Sequence, residues 1–131
     1  MIVLDTNALI RWIGIPKKLP EKINLVINQA RAKKAVYISS ISVWEIYTLL
    51  KKDKLKLDTL ADNWLQKLEE LSFVHFVPID NKIAVLSVNL PDFSHKDPAD
   101  RIIIATALNL GVKLVTSDSK ILNYKHVQAI W

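Results

Sequence analysis

Residues 1–10 read MIVLDTNALI. Ile2, Val3 and Leu4 are continuously apolar, as in a short strand covered on both faces. Asp5 stands where that strand should end, followed by Thr6, Asn7 and a second apolar run. A carboxylate in this place either caps the helix that begins at Thr6 or Asn7, or is a functional group at a sheet edge. The rest of the chain bears on the choice.

Working outward, short apolar runs recur at 36–38 (VYI), 74–77 (VHFV), 112–115 (VKLV) and 127–130 (VQAI). Helical patterns separate them. The stretch 20–33 opens at Pro20 and Glu21 and sets Ile23, Val26, Ile27 and Ala30 on one side. The stretch from about 41 to 52 carries Ile41, Trp44 and Leu49 and ends in Lys51 and Lys52, which suit the helix dipole. Residues 59–71 repeat Leu60, Trp64 and Leu68 at i, i+4 spacing, and 80–89 open with Asp80 as N-cap. For 98–110, Asp97 is the cap, Pro98 lies in the first turn and Gly111 is the stop. This order predicts an α/β fold of three layers, with a mainly parallel five-stranded sheet between helices. The helical pair 41–71 exceeds what a crossover needs and is expected to form a protruding arm. No repeat, low-complexity tract or linker interrupts the 131 residues, so one domain spanning 1–131 is expected.

Composition excludes several chemistries. There is no cysteine, which rules out disulfide scaffolds, thiolate zinc sites and cysteine nucleophiles. His75, His95 and His126 lack metal-ligand spacing, so any bound metal is expected on oxygen ligands. The N-terminus does not read as a secretory signal, and the apolar run IIIATAL is too short to span a bilayer. A cytoplasmic protein with no membrane association is the expectation. The formal charge is +5, from 15 lysines and 3 arginines against 13 acids, which suits a polyanionic partner. Lysines gather at 17–22, 33–34 and 51–56, either as solvated surface or as a guide for RNA phosphates. Trp12, Trp44, Tyr47 and Trp64 sit at core-like helical spacing and are expected to pack inside.

The acids are the informative set. Asp5 follows the first strand; Asp118 follows the fourth, in VTSD, beside Thr116 and Ser117; Glu45 lies early in the helix after the second; Asp97 and Asp100 open the 98–110 helix. Each has an ordinary reading: Asp5 and Asp97 as caps, Ser42–Glu45 as a capping box, Asp100 as a first-turn acid, Asp118 as a turn residue. Together they come from four segments that converge at one edge of a parallel sheet. Crowded carboxylates near apolar neighbours raise one another's pKa, and a divalent cation such as Mg²⁺ or Mn²⁺ relieves that cost. Such a centre suits metal-assisted phosphodiester hydrolysis.

VLDTNALI, ISSISVWEI, HKDPADRIIIATAL and LVTSDSKI, in this order, resemble the four motif regions of PIN-domain ribonucleases, above all the VapC toxins of toxin–antitoxin pairs. The similarity runs from residue 1 to about 122. It implies a metal-binding acidic quartet of Asp5, Glu45, Asp100 and Asp118, with Asp5 central. It further implies that Asn7 hydrogen-bonds within the cluster, that Thr116 orients its neighbours and that Arg101 pairs with an acid or touches RNA, whereas Asp97 is read as the cap. The implied activity is Mg²⁺- or Mn²⁺-dependent hydrolysis of RNA without a covalent protein intermediate. The implied partners are RNA, a cognate antitoxin and a second copy of the chain.

Three other readings compete. A PIN nuclease of RNA processing needs no antitoxin. A receiver-like signalling domain needs an acidic pair after the first strand and an acceptor Asp after the third, and leaves Glu45 and Asp100 unexplained. A non-enzymatic RNA-binding module has no use for four converging acids.

Overall fold

A computed structural model describes residues 1–56 and 63–131. Five parallel strands lie in the order β3-β2-β1-β4-β5: β1 Ile2–Leu4, β2 Val36–Ser39, β3 Val74–Val77, β4 Lys113–Val115 and β5 Ala129–Ile130. The order reverses at β1. After β1 the chain builds β2 and β3 to one side, then returns to place β4 and β5 on the other. The carboxyl edge at β1 and β4 is therefore a topological switch point, where open α/β sheets leave a crevice.

The period-two alternation of β1 feeds two cores. Ile2 and Leu4 join Leu9, Ile23, Ile27, Ile38, Ile46, Trp64 and Leu68 on one face. Val3 joins Ile103, Ile104, Ala107, Leu114 and Ile121 on the other. The first face is covered by α1 (Thr6–Gly14), α2 (Glu21–Ala32), α3 (Ser40–Lys51) and α4 (Trp64–Glu69). The second is covered by α6 (Pro98–Leu110) and the short α7 (Ser119–Leu122), with α5 (Asn81–Val88) lying against α6. This is the α/β, all-parallel five-stranded architecture that the alternation of runs predicts.

Helix ends follow the sequence signals closely. Asp80 accepts from the Ile83 N–H at 2.9 Å and starts α5. Asp97 accepts from the N–H groups of Ala99 and Asp100 at 2.9 and 3.2 Å, Pro98 opens α6, and Gly111 ends it with φ +68°. That left-handed backbone is why a glycine stands there.

Three expectations need correction, and one element had no sequence signal. The capping box of Ser42 and Glu45 does not form, because β2 runs directly into α3 and Ser39 is the cap, accepting from the Ile41 N–H at 3.3 Å. Ser42 and Glu45 are thereby one turn inside the helix and free for other contacts. Trp44 and Tyr47 are 63% and 45% exposed, since α3 turns Ser42 and Ile46 inward instead; Trp64 is buried as expected, and Trp12 is half-buried against the first core. The strand at 127–130 shortens to Ala129–Ile130. Finally, α7 is a helix that periodicity did not signal, being only four residues long. The α4 end of the helical pair docks through Trp64 and Leu68; Leu60 lies outside the described residues.

Candidate active site

Asp5 uses its two carboxylate oxygens for two different contacts. Its Oδ1 accepts from the Ala8 N–H at 2.7 Å, which starts α1, while its Oδ2 accepts a short hydrogen bond from the Thr116 hydroxyl. The Asp5 N–H also donates to the Val115 carbonyl at 3.0 Å, joining the ends of β1 and β4. Thr116 is fully buried, and its oxygen accepts from the Asp118 N–H at 3.0 Å. One hydroxyl therefore ties two acids together from the end of β4. Asp118 in turn caps α7 through the Lys120 N–H at 2.8 Å.

Glu45 reaches the same edge from α3. The Thr6 hydroxyl donates to Glu45 Oε1 at 2.5 Å, and Thr6 Oγ1 lies 2.9 Å from Ser42 Oγ. Since Thr6 spends its single proton on Glu45, Ser42 is the donor in the second bond. Thr6 therefore holds the place within the cluster that the motif resemblance gave to Asn7. Asn7 is exposed, and among the described residues its side chain shows no hydrogen bond to the acids. In the sequence Thr6 and Asn7 stand side by side between the same two apolar runs, and the burial that separates them comes only with the fold.

Asp100, half-buried at the start of α6, faces His95, with Asp100 Oδ2 3.3 Å from His95 Nε2. His95 had no ligand spacing in the sequence, and it arrives through the loop before Asp97. Lys120 Nζ lies 3.4 Å from the same His95 nitrogen. Among the described residues, the group of three whose ligand atoms lie within 4.8 Å of one another is His95, Asp97 and Asp100. Asp5, Glu45 and Asp118 lie outside that group.

The electrostatics tie the acids to one another across that spread. Burial lifts the Asp5 carboxyl from its ordinary 3.8 to about 6, against the bonds from Thr116 and Ala8, and the charges of Asp100 and Asp118 add to the rise. Burial likewise raises Glu45, opposed by the Thr6 bond and reinforced by Asp100, Asp97 and Asp5. Burial raises Asp100, with Asp97 and Asp118 reinforcing and His95 opposing. A crevice that holds carboxylates reluctant to stay charged suits a hard divalent cation, whose oxygen-ligand preference matches these donors. Wide spacing is no obstacle, because Mg²⁺ keeps several waters and takes only one or two carboxylates directly.

Arg101 does something other than expected. Its guanidinium donates to the carbonyls of Ser87, Phe93, His95 and Val88 at 2.8, 2.8, 2.9 and 3.1 Å, and lies over the Phe93 ring at 5.6 Å. Among the described residues it forms no ion pair with an acid. It fixes the end of α5 and the 93–95 loop, and so the place of His95.

Residues 2–127 match the PIN domain family model. The chain is 30% identical over 129 residues to Ribonuclease VapC22 of Mycobacterium tuberculosis, covering 98% of this chain and 95% of that protein. Two solved structures share the fold. The FitAcB structure from Neisseria gonorrhoeae is 23% identical with a TM-score of 0.71, covering 100% of this chain and 97% of that one. DNA-bound VapBC from Salmonella typhimurium is 22% identical with a TM-score of 0.66, over 98% and 96%. The chain belongs to the PIN-domain family. Within it, the full-length match makes the chain a homologue of the VapC ribonucleases.

Proposed function

We propose that this protein is a metal-dependent endoribonuclease, the toxin of a toxin–antitoxin pair, and that Asp5, Glu45, Asp100 and Asp118 are its catalytic acids. The observation that carries the reading is the meeting of these acids at the switch point of a PIN fold, in a chain alignable end to end with a VapC ribonuclease.

Mg²⁺ or Mn²⁺, when bound, supplies Lewis acidity: it lowers the pKa of water and neutralises phosphate charge. The acids supply its oxygen ligands, with Asp5 central. Thr116 aims Asp5 and the Asp118 backbone, and Thr6 with Ser42 aims Glu45, so two of the four carboxylates, Asp5 and Glu45, are held by a hydroxyl from a neighbouring element. Such supporting bonds typically carry about 10–100-fold in metal affinity or activity. Asp97 shapes the start of α6 as a cap, and Arg101 supports the loop that carries His95. Water is the nucleophile, and no covalent protein intermediate is required.

A cognate antitoxin is the proposed partner, in line with fold neighbours that are themselves complexes. A homodimer is proposed as well; the exposed apolar side chains of Trp44, Tyr47, Val85 and Val88 offer surface for either contact. Among the described residues no helix is long and apolar enough to cross a membrane.

The test is cleavage of an RNA panel, including tRNA-like and ribosomal loops, with Mg²⁺, with Mn²⁺ and with chelator. Cleavage that requires the cation supports the reading. Cleavage unchanged by chelator, or none in any condition by folded protein, overturns it.

A further inference from the structure

Beside the acidic crevice lies a cavity of about 760 Å³ whose lining adds lysines and aromatic rings to the acids Asp92 and Asp97. Lys96, Lys120, Lys125, Phe93 and Tyr124 are among the residues that line it. The volume falls inside the range of about 300–1,000 Å³ common to small-ligand sites. We infer that this cavity seats one nucleotide of the RNA strand next to the phosphate being cut, an assignment that rests on the ribonuclease reading.

Position is the first argument. His95 lines the cavity and also touches Asp100, so the two compartments share a wall one side chain thick. Lys120 reaches the same imidazole and follows Asp118 by two residues. A strand with a phosphate at the acids therefore has its neighbouring unit at this cavity.

Charge is the second. Asp92 is the partner of Lys125 at 4.0 Å and of His126 at 3.3 Å. Lys96 and Lys120 have no carboxylate within that reach among the described residues. Two uncompensated ammonium groups beside a crevice of four acids give a phosphate chain a cationic foothold where the acids alone would repel it.

The third argument is the rings. Phe93 lies 4.8 Å from Tyr124, and Tyr124 lies 5.3 Å from His126, so three rings form one aromatic cluster in which Tyr124 is buried and Phe93 and His126 reach the surface. The Tyr124 hydroxyl is held by the Pro91 carbonyl at 2.6 Å and Phe93 is covered by Arg101, which makes this cluster rigid. A base finds π-surface there without specific edge readout, while the Asn123 amide on the rim offers a donor and an acceptor.

The experiment uses a fluorescently labelled eight-nucleotide RNA of mixed sequence, with binding followed by anisotropy in chelator between 50 and 200 mM salt. Lys96→Glu with Lys120→Glu is compared with Lys33→Glu and Lys113→Glu, an equal charge change on exposed lysines at the opposite, amino edge of the sheet. The expected result is at least about tenfold weaker binding for the cavity pair, with the salt slope reduced by roughly 1.4, the amount for two single-strand phosphate contacts. The control pair changes binding about twofold or less. Equal losses for the two pairs, unchanged binding in the cavity pair, or no binding by the wild type overturns the assignment. Because no cleavage is needed, the two readings fail separately. A protein that loses RNA affinity as expected but cuts nothing with metal keeps the nucleotide seat and loses the nuclease reading. One that cuts RNA while the cavity pair binds like wild type does the reverse.

Discussion

Thr116 and Asp5, 111 positions apart, meet in a short, fully buried hydrogen bond where β4 and β1 end side by side. The bond makes the two strand ends a single unit and leaves Thr116 holding the Asp118 backbone as well. Replacing Thr116 with Val keeps the shape and removes the hydroxyl. A buried acceptor left without its donor costs about 1–3 kcal/mol, and loss of aim is expected to lower kcat about 10–100-fold. Chemical denaturation and cleavage kinetics read the two effects; wild-type kcat in a destabilised Thr116→Val protein would place Thr116 outside the site's support.

Thr6, not Asn7, holds Glu45. Thr6→Val is therefore expected to reduce cleavage about 10–100-fold, and Asn7→Ala about threefold or less. A kinetic comparison of the two variants decides it, and the reverse ranking would restore Asn7 to the role that the motif resemblance gave it.

Asp5 titrates near 6 in the fold against an ordinary 3.8, chiefly because it is buried. Between those pH values the folded state holds a proton that the unfolded chain has lost, so stability falls as pH rises through the window. Above it the cost reaches roughly 3 kcal/mol. Without divalent cation, Asp5→Asn is expected to melt higher than wild type at pH 7.5, with the gap closing towards pH 4. Adding Mg²⁺ should raise the wild-type Tm and leave the variant nearly unmoved. Melting curves across pH that run parallel for the two proteins would contradict this account of Asp5.

Arg101 makes four hydrogen bonds to carbonyls. Arg101→Ala is expected to lose about 3 kcal/mol of stability, and Arg101→Lys to recover little of it, because one ammonium cannot reproduce the fork. Urea unfolding measures both. A fully stable Arg101→Ala protein with weakened RNA binding would revive the surface role.

Gly111 gives a purer backbone case. A Cβ there meets nothing within 4 Å, so Gly111→Ala should cost only the left-handed conformation at φ +68°, about 1–2 kcal/mol by denaturation. A larger loss would mean that α6 ends under tension.

Much of this was legible in the amino-acid order because local rules and global fold agree. The runs IVL and VYI mark central strands, DP and Gly111 bracket α6, and acids at strand ends mark the crevice. What escaped reading depends on orientation and reach. Whether Trp44 faces in or out is set by where α3 begins, and the start moved when β2 ran on to Ser39. Arg101 looks like a surface charge until the fold brings four carbonyls to it from α5 and the following loop. His95 and Lys120 lie 25 residues apart, and no spacing rule joins them. Asp5 shows the limit of choosing between roles, since one oxygen caps a helix while the other accepts from Thr116 at the end of β4.

The central claim is that four acids act as one site, and single-turnover RNA cleavage by Asp5→Asn, Glu45→Gln, Asp100→Asn and Asp118→Asn tests it most directly. Each substitution keeps the size of the side chain and removes one charge. The account predicts that all four, folded, fall at least about 100-fold below wild type in saturating Mg²⁺ or Mn²⁺, while Asp97→Asn stays within about tenfold. Wild-type cleavage by any one of the four would contradict it.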